Sequence, residues 1–157
     1  MDGEKNVYAF SPRNLPNRNQ GLKLKDPQIY KLKDAEDKTL IFESRFESGN
    51  LYLVQKVSDL EYNLLMSNDV NTSGHTQWFF FQVKNTRAKS KVRFNILNYS
   101  KPDSLFNYGM KVSVYSEKKS DKKNMGWHKA GEDIRYFANG IKKDVTYYSK
   151  SYYSLTF

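Results

Sequence analysis

From Thr39 onward, short runs rich in aromatic and β-branched residues alternate with clusters of turn formers, and few folds accommodate that texture. The runs are "TLIFES", "LYLVQKV", "EYNLLM", "TQWFFFQV", "KVRFNIL", "MKVSVYS", "IRYFA" and "TYYSKSYYSLTF", separated by segments such as "ESGN", "SNDVNTSG" and "NTRAKS". No stretch carries an apolar stripe at helical spacing beyond two turns. Where the runs alternate, they do so with period two: Val92, Phe94 and Ile96 against Arg93, Asn95 and Leu97, and Met110, Val112 and Val114 against Lys111, Ser113 and Tyr115. Period two places each set on one face of a pleated strand. Many short strands punctuated by turns predict an all-β chain, an antiparallel β-sandwich of roughly eight or nine strands. "QWFFFQV" is apolar at successive positions and reads as a central strand covered on both faces.

Residues 1–38 have a different texture. "SPRNLPNRNQGLKLKDPQIYKLKD" holds three prolines and few large apolar residues, which predicts an extended, partly disordered arm. The 157 residues therefore divide into this arm and one domain over 39–157, long enough to bury a substantial core. No run has the length of a membrane span, and the polar start "MDGEKN" is not a signal peptide. A soluble cytoplasmic protein with no membrane partner is expected.

The usual catalytic constellations are missing. Cysteine is absent, which removes thiolate metal sites and thiol nucleophiles. The two histidines are His75 and His128, whereas a catalytic zinc takes three protein ligands. His75 sits in a turn cluster, and His128 with Glu132 falls in a strand-like "WHKA" rather than at helical spacing. Composition leaves a Ser-His-Asp triad open, but the chain has no Gly-x-Ser-x-Gly elbow, phosphate loop or dinucleotide fingerprint. No catalytic or metal-ligating residue is assigned.

A binding surface remains. Residues 1–78 carry 10 Lys+Arg against 11 Asp+Glu, while residues 79–157 carry 16 against 6, so the basic excess lies in the second half. Such a surface attracts anionic partners. "SEKKSDKKN" sets four lysines in a loop between strands, and Tyr99, Phe106 and Tyr108 read as exposed aromatics in the loop "NYSKPDSLFNYG". One reading of these features is a free-standing basic module for nucleic acid or carbohydrate. Most aromatics occupy core positions of strands, however, and no RNP1-type signature is present, so nucleic acid is the less favoured partner.

Three segments in order, "FESRFESGNL", "EYNLLMSNDVNTSGHTQWFFFQV" and "VRFNILNYSKPDSLFNYGMK", resemble the amino-terminal domain of the cytosolic carboxypeptidases. The matching blocks are Phe42–Leu51, Glu61–Asp69, Gln77–Val83, Arg93–Asn98 and Phe106–Met110, with a weaker likeness through Trp127 to Phe137 and in the final "YYSLTF". The resemblance implies a β-sandwich placed before a zinc carboxypeptidase domain that trims glutamates from tubulin and other proteins. That domain's His-x-x-Glu pair and later histidine do not occur in this chain. The expected cofactor, zinc, belongs to a catalytic domain that would follow residue 157, and none is expected here. The expected partners are that catalytic domain and acidic polyglutamylated tails such as those of tubulin, in the cytoplasm at microtubules or cilia.

The resemblance also gives the doubled "FES" a reason. Phe42 and Phe46 lie four apart, and Ser48, Gly49 and Asn50 permit a tight turn with positive φ. Glu43, Arg45 and Glu47 alternate, so on a strand they share one face and can pair. Arg45, Phe46, Glu47, Ser48, Gly49, Asn50 and Leu51, together with Phe106, Asn107, Tyr108 and Gly109, are the expected interface with the catalytic domain. Lys118, Lys119, Lys122, Lys123 and Arg135 are the residues expected to steer acidic substrates.

Overall fold

The computed structural model describes residues 5–10, 29–72, 75–121, 123, 125–142 and 151–157. It is all-β, as the strand–turn texture predicts. The strands are β1 (Lys5–Ala9), β2 (Ile41–Glu43), β3 (Leu51–Ser58), β4 (Glu61–Met66), β5 (Gln82–Lys84), β6 (Arg93–Tyr99), β7 (Val112–Ser120), β8 (Met125–Ala130), β9 (Arg135–Lys142) and β10 (Ser151–Thr156). Six form one sheet in the order β1-β3-β4-β6-β10-β9, while β2 pairs with β5 and β7 with β8 in two-stranded ribbons. All pairings are antiparallel except β4 with β6.

Val54, Tyr62, Leu64, Met66, Ile96 and Leu155 line one face of the large sheet and are buried. The β2–β5 ribbon and the segment leading into β5 cover them. Phe42 packs on Tyr62, Phe81 and Phe94 with ring centroids 5.3, 6.1 and 6.1 Å apart. Phe79 stacks on Phe157 at 5.4 Å. The opposite face carries a smaller buried cluster of Ala9, Tyr52, Leu53 and Leu65. Leu51 and Leu53 lie two apart yet face opposite sides, because the β3–β4 register shifts between them. A bulge inserts one residue and flips the parity that a sequence pattern assumes.

Asparagine side chains, one of them (Asn98) fully buried, complete pairings that the backbone leaves open. The last β4–β6 pair is Leu64 with Ile96. Beyond it, Asn98 accepts from the Met66 amide at 2.9 Å and donates to the Met66 carbonyl at 2.8 Å, substituting for a strand neighbour. Asn139 likewise donates to the Leu97 carbonyl at 2.7 Å and to Ser154 Oγ at 2.9 Å. An amide side chain holds both a donor and an acceptor, and a buried backbone group without a partner is costly.

Three expectations need correction. Within the expected arm, Lys5–Ala9 is an edge strand paired with β3, and Val7, Tyr8 and Ala9 are buried in the domain; residues 1–4 and 11–28 of that arm lie outside the described residues. "QWFFFQV" is not a central strand: only Gln82–Lys84 pairs, at the edge of a small ribbon, and Trp78 and Phe80 are 43% and 39% exposed. Along Met110, Val112 and Val114 only Val112 is buried, because β7 pairs with β8 alone and stands off the large sheet.

Candidate functional site

The stretch "FESRFESGNL" folds into a corner between β2 and β3. Its first requirement is a turn after Glu43. Glu43 Oε1 accepts from the amides of Ser44 and Arg45 at 3.0 and 2.8 Å. The Arg45 guanidinium grips both oxygens of the same carboxylate, Nε to Oε1 at 2.8 Å and Nη2 to Oε2 at 2.5 Å. Bidentate geometry of this kind is the strong form of the pair. The Arg45 hydrogen bond, with those two amides, holds the Glu43 carboxyl down at about 2. Glu47, expected to share this face, takes no partner among the described residues.

The second requirement is close approach of two backbones. Ser44 is buried; its Oγ accepts from the Leu51 amide at 2.8 Å and donates to the Phe80 carbonyl at 3.3 Å. A Cβ at Gly49 would stand 2.1 Å from the Ser44 carbonyl oxygen, so glycine is needed there for space. Positive φ falls on Ser48 instead, at 65°.

The corner's output is the position of Phe80. Asn50 is buried, and its side chain donates to the Trp78 carbonyl at 2.8 Å and accepts from the Phe80 amide at 2.8 Å. Its own amide donates to the Phe80 carbonyl at 3.1 Å. The segment before β5 is therefore held by Asn50, with help from Ser44 Oγ on the Phe80 carbonyl and from Asp69, which accepts from the Trp78 indole, rather than by a strand partner. Held this way, Phe79 and Phe81 turn into the core while Trp78 and Phe80 face out.

Phe80 sits in a row of exposed rings. Phe46 meets it edge-on at 5.2 Å, Trp127 lies 6.4 Å on its other side, and Tyr115 packs against Trp127 at 5.3 Å. Phe46 and Phe80 are each 39% exposed, Tyr115 47% and Trp127 51%. With full side-chain areas of ~150–250 Å², the four rings present roughly 260–440 Å² of largely apolar surface. Patches of that size on soluble domains commonly mark interaction sites.

The predicted interface residues thus separate by role. Arg45, Phe46, Glu47 and Ser48 are exposed, Gly49 is half-buried, and Asn50 and Leu51 are buried supports that offer no surface. The second group lies on a 3-10 turn, Leu105–Tyr108, capped by Ser104 and closed by Gly109 at φ 93°. Asn107, Tyr108 and Gly109 are exposed, whereas Phe106 packs against the core. Tyr99, expected to be exposed, is buried. Gln77 lines one cavity with Phe106 and Tyr108, and Asn50 holds Trp78, so both groups border the segment Gln77–Phe80. Sequence reasoning missed Phe80, Trp127 and Tyr115. Four consecutive aromatics carry no alternation that could tell the exposed rings from the core ones, and the only local signal was a tryptophan set beside His128 and Lys129 in "MGWHKA".

The basic residues do not form one patch. Lys118 and Lys119 are exposed at the far end of β7, Lys123 is exposed in the turn that follows, and Lys122 lies outside the described residues. Arg135 opens β9, five residues after Ala130, which pairs with Val112 at the ribbon's base. At ~3.3 Å rise per residue the lysines stand roughly 20 Å from that base. Among the described residues no three His, Cys, Asp or Glu side chains gather to hold a metal, so no zinc chemistry is derived from them. No helix among them is long and apolar enough to cross a membrane.

Comparison with known proteins covers the corner and the 3-10 turn within one matched range. Residues 42–151 match the family described as the cytosolic carboxypeptidase N-terminal domain. Mouse cytosolic carboxypeptidase 3 is 48% identical over 123 residues, 78% of this chain and 12% of that protein. Human cytosolic carboxypeptidase 2 is 47% identical over 108 residues, 69% of this chain and 12% of that protein. Cytosolic carboxypeptidase 2 of Xenopus tropicalis is 43% identical over 155 residues, 96% of this chain and 15% of that protein. The chain spans about an eighth of the length of the curated relatives it matches. With a family match over most of its length and relatives near half identity, the chain belongs to the cytosolic carboxypeptidase family and carries that family's N-terminal domain.

Proposed function

We propose that this domain is a non-catalytic part of a zinc carboxypeptidase that removes glutamates from polyglutamylated tubulin and other proteins in the cytoplasm, at microtubules and cilia. Its work is to pack on the catalytic domain of the same parent chain, support that domain's folding and help dock acidic tails. The observation that carries this reading is the row Phe46–Phe80–Trp127–Tyr115, an aromatic surface on a domain that matches a small fraction of each relative. Covering ~260–440 Å² of it corresponds to about 7–11 kcal/mol of gross hydrophobic gain at ~25 cal/mol per Å², from which ordering and association costs are subtracted.

The lysines at the ribbon tip contribute long-range attraction to an acidic tail rather than contact specificity. Between exposed charges this falls off over a Debye length of about 8 Å at physiological salt.

Limited proteolysis of the parent protein tests the docking. Phe80→Ser with Trp127→Ser is expected to hasten cleavage of the catalytic domain and lower its activity. Leu60→Ser is the control: Leu60 is 52% exposed at the β3–β4 turn, roughly 25 Å along β3 from the corner at ~3.3 Å per residue. Equal cleavage rates for the double variant and the control would sink the reading. Trp127 lies in the proposed contact and Trp78 borders it, so the emission of these two tryptophans should shift to the blue when the catalytic domain is attached.

A further inference from the structure

The end of β6, the 3-10 turn and β9 form an open cleft of ≈ 340 Å³ whose lining includes Tyr99, Phe106, Tyr108, Tyr136, Lys101 and Asp103. The rings are held from behind. Tyr136 lies between Tyr99 and Tyr153 at 6.0 and 5.8 Å, parallel to the latter within 3°, and its hydroxyl donates to the Lys101 carbonyl at 2.6 Å. Behind the same wall the Tyr99 hydroxyl is buried with no hydrogen-bond partner.

Asp103 is fixed at the mouth. Oδ1 accepts from the Ser104 amide at 2.8 Å and from Asn107 Nδ2 at 3.2 Å, and Oδ2 accepts from the Tyr108 hydroxyl at 2.9 Å. The Tyr108 hydroxyl first, then the Ser104 amide and Asn107, hold this carboxyl below its ordinary value, so it is ionised at neutral pH. Its charge reaches the cavity wall, where it adds to burial in raising Tyr136. Yet no cation pairs with it among the described residues: Lys101 also lines the cavity but makes no ion pair with Asp103.

We propose that this cavity is a recognition site for a guanidinium group, taken as an arginine side chain presented by a neighbouring polypeptide. The fixed Asp103 carboxylate disfavours an anion beside it, although Lys101 also borders the cleft. Aromatic faces within about 6 Å favour a cation, more so as it loses water. A guanidinium is planar, weakly hydrated and stacks on rings while its fork reaches a carboxylate, which a compact ammonium does not match. The site stands whether or not the aromatic row docks a catalytic domain, and its test uses this chain alone.

The 157-residue chain is titrated with N-acetyl-arginine methylamide, and the amide and tyrosine-ring NMR shifts are followed. The citrulline and lysine analogues are run beside it. Saturable shifts are expected at Asp103–Met110 and Tyr136, with the neutral, isosteric citrulline analogue roughly tenfold weaker or worse and the lysine analogue in between. Asp103→Asn should erase the preference for arginine over citrulline. Tyr108→Leu, at a position 73% exposed and so harmless to folding, should weaken arginine several-fold and decides the matter if Asp103→Asn unfolds. Equal response to arginine and citrulline, shifts that map elsewhere, or a Tyr108→Leu variant that binds like the original would overturn the assignment.

Discussion

Replacing Asn50 by alanine tests the claim that its side chain is the main clamp on the segment before β5. The change removes two hydrogen bonds of 2.8 Å and strands the Trp78 carbonyl and the Phe80 amide. An unsatisfied buried polar group costs about 1–3 kcal/mol. Since the side chains of Trp78 and Phe80 are two-fifths exposed, water reaches part of the gap and the low end applies. The expected loss is therefore ~2–3 kcal/mol, a large share of the ~5–15 kcal/mol typical of a domain. In urea, with a slope of ~2 kcal/mol per molar, the midpoint should fall by about 1–1.5 M. Asn50→Asp separates chemistry from size. It keeps an acceptor for the Phe80 amide but sets oxygen against the Trp78 carbonyl, so at neutral pH it should cost at least as much as alanine and recover as the new carboxyl protonates. Asn107→Ala, which removes one exposed bond of 3.2 Å, should stay within ~0.5 kcal/mol. If Asn50→Ala is no more costly than Asn107→Ala, and tryptophan emission is unchanged, the clamp is not what positions Phe80.

Gly49→Ala forces a Cβ to within 2.1 Å of the Ser44 carbonyl oxygen and should cost about 1–3 kcal/mol by thermal or urea unfolding, whereas Ser48→Gly, at φ 65°, should cost nothing. The Glu43 carboxyl titrates at about 2 when folded, below its ordinary value of 4.5, so its contribution is present above pH ~4.5 and is lost as pH falls toward ~2. The stability gap between the original and Glu43→Gln should accordingly close over that interval in acid titrations, and a constant gap would show that the Arg45 pair contributes nothing. Reversing Lys118, Lys119, Lys122 and Lys123 to glutamate in the parent should weaken capture of a polyglutamylated peptide at low salt, with the difference fading above ~0.5 M salt; an unchanged affinity would end the steering claim.

Much of the fold was legible because period-two patterning answers to one variable, whether a face is covered. β3, β4, β6 and β10 appear in the chain as apolar runs broken by turn formers, and each is a strand of the large sheet. β1 escaped notice because prolines and polar residues downstream give its neighbourhood the look of an arm, while "VYA" carries too few residues to show a period. The corner was legible in outline: the chemistry of "ESRFESGN" forecast a tight turn and a Glu–Arg pair. It did not reveal that Gly49 serves closeness rather than φ, or that Asn50 reaches a segment nearly thirty positions away.

The amino-acid sequence alone identifies an all-β domain, basic in its second half and of the cytosolic carboxypeptidase type. These properties are local or additive: strand period, residue inventory, summed charge and motif order survive without knowing what touches what. Which of four consecutive aromatics at Trp78–Phe81 face solvent, and that Phe46, Phe80, Trp127 and Tyr115 make one surface, depend on long-range pairing. A ribbon that stands off the sheet, a bulge that flips parity and an asparagine that replaces a missing strand each act across the fold. Burial belongs to the assembled neighbourhood and not to the residue, so the surface on which the proposed function rests emerges only when the chain has closed on itself.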